Sequence, residues 1–198
     1  MAGSVPEKSG GKMYNTCTIL NDKGEYIGKH RKMHLFDINI PGGITFYESK
    51  VLGAGDKVTI VDTPFGKMGV VICYDLRFPE LFRLMLEEGA EFVVIPAAFN
   101  TTTGPAHWET LLKARAIDNQ VYVIASSPAR NDNASYHAYG HSAVFNPWGD
   151  KLIEADEKEK VLEVEVDFNK LKEVRRNMPL LQHRRLDAYN KIGEKEKN

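Results

Sequence analysis

The strongest constraint on the fold lies between Gly69 and Ile95. An apolar run, Gly69 to Cys73, gives way to a short polar break and then to an amphipathic stretch from Pro79 to Glu88. Gly89 follows, and a second apolar run extends from Glu91 to Ile95. Proline suits the first turn of a helix, where an N–H would be unpaired anyway, and glycine suits the left-handed residue that closes one. Strand, helix and strand in this order form a β-α-β crossover, which commits the chain to a partly parallel sheet with helices packed on it.

The rest of the chain extends this pattern with hairpins and one more helix–strand unit. Lys12 to Leu20 reads as a strand, residues 21–24 (Asn-Asp-Lys-Gly) as a turn, and Glu25 to His30 as the returning strand. Lys57 to Asp62 and Lys67 to Cys73 pair about Thr-Pro-Phe-Gly. A helix opened by Pro105 runs to Asn119 and leads to the strand Val121 to Ser126. Ser142 to Asn146 and Lys151 to Glu154 form a hairpin about Pro-Trp-Gly-Asp, Lys160 to Asp167 alternates like a further strand, and a helix spans Asn169 to Asn177. Between Arg31 and Ala54 the periodicity vanishes and glycines accumulate, which predicts a long ordered loop of the kind that often carries function. The expectation is an α/β protein with a mixed sheet, one domain over residues 1–190 and a charged, disordered tail at 191–198.

Composition enters by exclusion. The 26 basic and 27 acidic residues nearly cancel, leaving no electrostatic footprint for nucleic acid or an anionic membrane. The longest apolar run, Phe92 to Phe99, is less than half the span of a membrane helix. Two cysteines, Cys17 and Cys73, and no secretory signal point to a reducing compartment. The reading is cytoplasmic, with a mitochondrial address as the alternative. His34, His107 and His141 lack zinc-site spacing, so neither metal nor cofactor is expected.

Cys73 ends an apolar strand about six residues before a helix, at the edge of an α/β sheet where ligands usually bind. A helix N-terminus and nearby cations would favour its thiolate; the alternative is an inert cysteine finishing a buried strand, the reading given to Cys17. The loop opens with Lys29-His30-Arg31-Lys32-Met33-His34, which by itself is weak evidence for a site, because charged runs usually face solvent.

Taken together, KHRKMHLFD at 29–37, PGGITFYESK at 41–50, VVICYDLRFPE at 70–80, AFNTTTGPAHWE at 98–109, ARAIDNQVYV at 114–123 and GHSAVFNPWG at 140–149 resemble the nitrilase superfamily of carbon–nitrogen hydrolases, nearest its omega-amidase branch. The resemblance implies an α-β-β-α sandwich that doubles in a homodimer, and a small-molecule amide substrate. It makes Cys73 the nucleophile and Lys32 the catalytic lysine. Glu48 becomes the accessory glutamate, against the alternative of a loop carboxylate paired with Lys50. Tyr74 would supply a backbone N–H to the oxyanion. Arg77, Phe99 and Thr103 would line the substrate pocket, against the alternatives of a salt bridge, core packing and helix capping. The implied reaction is hydrolysis of the terminal amide of a 2-oxo dicarboxylic acid monoamide; other small amides, or a scaffold without turnover, are the alternatives. The superfamily's general-base glutamate precedes the Gly-Ser-x-Pro-Glu stretch found here at residues 3–7, and Glu7 matches a different position. The expectation is therefore a domain incomplete at its N-terminus, with slowed chemistry.

Overall fold

A computed structural model describes residues 1–39 and 45–189. The tail 191–198 and the Pro41-Gly42-Gly43 portion of the loop lie outside the described residues.

A six-stranded mixed sheet forms the centre. Its strands are β6 (Ile60–Thr63), β7 (Gly66–Val70), β8 (Phe92–Pro96), β9 (Tyr122–Ser126), β10 (Ala143–Phe145) and β11 (Lys151–Glu154), in the spatial order β11-β10-β9-β8-β7-β6. The pairs β7–β8 and β8–β9 are parallel and the other three antiparallel. Helix α1 (Pro79–Glu87) makes the first crossover and α2 (Thr103–Asn119) the second. Pro79 occupies the first turn of α1, and Gly89 adopts φ +90° beyond its end, as the residue types predict.

Both faces of the central strands are covered, so their side chains divide by parity. Val93 and Ile95 of β8, with Val123 and Ala125 of β9, meet Leu81, Phe82, Met85, Trp108, Leu112 and Ala116 of the two helices. Phe92 and Tyr122 point the other way, onto Cys17, Ile19 and Leu171. Cys17 and Ile19 belong to a three-stranded antiparallel sheet, β1 (Ala2–Ser9), β2 (Lys12–Leu20) and β3 (Tyr26–Arg31). Leu171 belongs to α3 (Phe168–Asn177). The layers are thus helices, six-stranded sheet, and three-stranded sheet with α3 beside it.

Three expectations need correction. The loop 31–54 contains a short strand pair, β4 (Asp37–Asn39) with β5 (Thr45–Tyr47), and a 3-10 turn at Glu48–Lys50. These pieces are too short for alternation to register. The strand ending at Cys73 stops at Val70, because the chain turns out of the ladder to begin a 3-10 turn at Cys73–Arg77. Lys160 to Asp167 is not a strand: it finds no ladder partner among the described residues, and Val161 is 87% exposed. An alternating pattern supplies sidedness, but a strand also needs a neighbour to pair with its backbone.

Candidate active site

Cys73 leaves the sheet with φ +47°, a left-handed conformation that costs a residue with a Cβ about 1–2 kcal/mol. Asp75 helps to hold the turn, its Oδ2 accepting the Ile72 N–H at 3.0 Å. The turn delivers Cys73 to a cleft of about 970 Å³. All seven residues singled out in the sequence, Lys32, Glu48, Cys73, Tyr74, Arg77, Phe99 and Thr103, line this one cleft. Gly3, Ser4 and Val5 of β1, part of the Gly-Ser-x-Pro-Glu stretch but not singled out as site residues, line it as well.

Lys32 follows β3 directly and is only 2% exposed. Its backbone is fixed on both sides: its N–H donates to the Asn15 carbonyl and its own carbonyl accepts from the Gly55 N–H, each at 2.8 Å. The ammonium donates to Glu48 Oε2 at 2.6 Å, and the same oxygen accepts the Phe36 N–H at 2.7 Å. A buried ammonium requires such a partner, since an uncompensated charge is expensive away from water. Pairing of Glu48 with Lys50 is thereby set aside; Lys50 instead sits over the Tyr47 ring. Among the described residues, Glu48 is the one carboxylate lining the cleft.

Burial pushes the Cys73 thiol above its ordinary pKa. Lys32 and a contact with the Ala98 carbonyl, 3.9 Å from Sγ, pull the other way, and Glu48 and Asp75 add to the upward push. The expected thiolate stabilisation is present as a contribution from Lys32, but desolvation outweighs it. A thiol held this way is protonated at neutral pH, and any nucleophilic attack by it would require that proton to leave. Cys17 is fully buried, and burial likewise raises its thiol.

Arg77 reaches over the Phe99 ring, 4.9 Å from its centroid, and its Nη1 lies 3.2 Å from His107 Nδ1. Among the described residues it has no carboxylate partner, which removes the salt-bridge alternative. Phe99 is both core and wall: it is 5% exposed, tilts against Trp108 at 4.9 Å and still borders the cleft. The capping role weighed for Thr103 belongs to Asn100, whose Oδ1 accepts the N–H groups of Thr102 and Thr103 and the Thr103 hydroxyl.

Sequence reasoning passed over two further residues. Asp75 is fully buried and bonds to His30 and His34 as well as to Ile72. Tyr136 donates to the Ala98 carbonyl at 2.5 Å, and burial pushes its phenol up to about 12. A carboxylate two residues after a candidate nucleophile could have flagged Asp75; no local signal marks Tyr136. Among the described residues no cluster of three or more His, Cys, Asp or Glu could hold a metal. No helix among them is long and apolar enough to cross a membrane.

A thiol, a buried ammonium and a carboxylate around one cleft are the components of acyl transfer through a covalent intermediate. Residues 1–176 match the carbon–nitrogen hydrolase family profile. The chain is 51% identical to omega-amidase NIT2 of Mus musculus over 195 residues, which are 98% of this chain and 71% of that protein. It is 50% identical to omega-amidase NIT2 of Homo sapiens, covering 96% of this chain and 68% of that one. The crystal structure of Saccharomyces cerevisiae Nit3, a member of branch 10 of the nitrilase superfamily, superposes with a TM-score of 0.85 at 47% identity. That match covers 93% of this chain and 65% of the yeast chain. With the family profile spanning most of its length, and the same fold in a relative of nearly half-identical sequence, the chain belongs to the carbon–nitrogen hydrolase family.

Proposed function

We propose that the chain acts as an omega-amidase-like hydrolase. Its substrates are 2-oxo dicarboxylic acid monoamides such as 2-oxoglutaramate and 2-oxosuccinamate, and its products are the dicarboxylate and ammonia. The observation that carries this reading is the meeting of Cys73, the Lys32–Glu48 pair and Arg77 around one cleft. Names of relatives half identical to the chain support the choice of substrate.

In this reading the Cys73 sulfur attacks the amide carbon and its proton passes to the departing nitrogen. The tetrahedral oxyanion is met by the Lys32 ammonium and the Tyr74 N–H; the first N–H groups of a helical turn lack intrahelical acceptors and are free for this role. Ammonia leaves, a thioester remains on Cys73, and water hydrolyses it to the acid. Glu48 holds Lys32 in place and relays protons. Arg77 binds the distal carboxylate through paired hydrogen bonds, while Phe99 and Thr103 shape the pocket. In the same reading residues 1–190 are one domain; the family resemblance supports a homodimer, testable by sedimentation, and the two cysteines support a cytoplasmic or mitochondrial address, testable by fractionation.

Ammonia release from 2-oxoglutaramate, abolished by Cys73→Ala, tests the proposal directly. Mass spectrometry of the Cys73 peptide after brief incubation should reveal the acyl adduct. Faster turnover of another small amide, such as a deaminated-glutathione-like compound, would redirect the substrate assignment. One observation favours a second reading, a protein that binds the ligand with little turnover: Glu48 is already engaged by Lys32 and Phe36, leaving no unengaged carboxylate in the described lining to take the thiol proton. Saturable binding of 2-oxoglutaramate without ammonia or adduct would establish it.

A further inference from the structure

The Asp75 carboxylate is fully buried and accepts four hydrogen bonds. Its Oδ2 takes the Ile72 N–H at 3.0 Å, one residue before Cys73, and His30 Nε2 at 3.1 Å. Its Oδ1 takes the His34 N–H at 2.9 Å and His34 Nδ1 at 2.8 Å. A carboxylate only accepts, so both imidazole nitrogens that face it must donate. The bonds join two segments 41 to 45 residues apart in sequence. One segment carries Cys73 in its left-handed turn. The other carries Lys32, midway between His30 and His34. The far nitrogen of His30 is engaged by Thr59, and His34 lies flat on Phe78 with ring centroids 3.6 Å apart, so neither imidazole is free to drift.

We propose that Asp75 is a positioning residue: its three bonds to His30 and His34 clamp the Lys32 segment, its bond to Ile72 ties it into the Cys73 turn, and together they set where the ammonium stands relative to the sulfur. The proposal rests on the reading of Cys73 as nucleophile and Lys32 as its oxyanion partner. Asp75 does not touch substrate in this role. It acts through Lys32, alongside the backbone ties from Lys32 to Asn15 and Gly55.

The pH dependence of Cys73 alkylation by iodoacetamide, followed on the Cys73 peptide in the full chain, separates positioning from mere support. The groups whose charge bears on the thiol are Lys32, Glu48, Asp75 and Tyr136. A nearby carboxylate disfavours thiolate, so Asp75→Asn acting directly would lower the alkylation midpoint. Displacement of Lys32 would raise it. Lys32→Gln is expected to raise the midpoint by about one pH unit or more, and Asp75→Asn to raise it as well. In the Lys32→Gln background, Asp75→Asn should lower the midpoint, because only the direct effect remains. On 2-oxoglutaramate, Asp75→Asn should lose about 10²-fold, chiefly in kcat with KM little changed.

An Asp75→Asn chain that melts earlier but keeps or lowers its midpoint would overturn the proposal. So would shifts that add in the double variant. Should Asp75→Asn fail to fold, His34→Phe keeps the stack on Phe78 and the backbone N–H while removing one bond; it should raise the midpoint by a smaller amount, and no shift would overturn the proposal. If Lys32→Gln itself leaves the midpoint unmoved, it is the underlying assignment of Lys32 that fails.

Discussion

Cys73 combines a strained backbone with a thiol that burial has made a weaker acid, and the two features have opposite effects on reactivity. The left-handed turn exposes the sulfur to the cleft, while desolvation withholds the thiolate. Alkylation of Cys73 should therefore be slow at neutral pH and climb through the alkaline range above the ordinary thiol value of about 8.5. Cys17 should label only on unfolding. The Lys32–Glu48 pair makes a second prediction. With Lys32 2% exposed, Glu48→Gln strands a charge in the interior and should cost about 3–5 kcal/mol in urea unfolding, well beyond a surface pair. Arg77→Ala should raise KM for 2-oxoglutaramate about ten- to a hundredfold, the loss of one charge-assisted bidentate contact, and leave an uncharged amide almost unaffected. Equal losses on both substrates would remove Arg77 from carboxylate recognition.

Among the elements, α2 shows how close packing overrides local preference. Gly104, in its first turn, faces the Tyr139 ring, and an added Cβ would stand 2.2 Å from Tyr139 Cγ. Helix propensity alone favours Gly→Ala by about 1 kcal/mol. The clash is with the root of a ring rather than the end of a flexible chain, so Gly104→Ala should destabilise, by about 1–3 kcal/mol, with a lower urea midpoint and an unchanged slope. Signals confined to a few neighbouring residues were legible in the sequence. Pro79 and Gly89 bracket α1, and the hairpin at 143–154 and helix α3 fall within a residue or two of expectation. β1 was not legible, because Pro6 and a run of polar residues mask its pairing with β2. The expected strand at 160–167 shows the converse failure, a pattern without a partner. In the site, motif residues could be named from the sequence, but Asp75 draws its importance from His30 and His34, more than forty positions away. Contacts at that range leave no periodic trace.

For the molecule as a whole, several carboxyl groups are held below their usual range, and two of them should contribute most to acid sensitivity. Burial pushes Asp75 up, but the hydrogen bonds from His30, Ile72 and His34 outweigh it and hold the carboxyl below its usual range. Glu7, bonded by Arg31, Lys29 and Thr16, is likewise held well below the usual carboxylate range. A carboxyl depressed in the folded state contributes stability above its unfolded value of about 4, and that stability is lost as pH falls through the folded value. Melting temperature should hold from neutrality to about pH 4 and then drop. Asp75→Asn should flatten part of that drop, and an unaltered profile would locate the acid response elsewhere.

The sulfur stands where the six-stranded sheet ends, whereas its ammonium neighbour is mounted just past the last strand of the three-stranded sheet. In the proposed mechanism neither slab carries a working reaction centre alone, so the centre is sensitive to the alignment between them. A slip of one slab over the other by an ångström would part the two groups while every ladder stayed intact, and misplacement on that scale can cost about 10²-fold in rate. Turnover should then fade at urea concentrations where far-ultraviolet circular dichroism is still native.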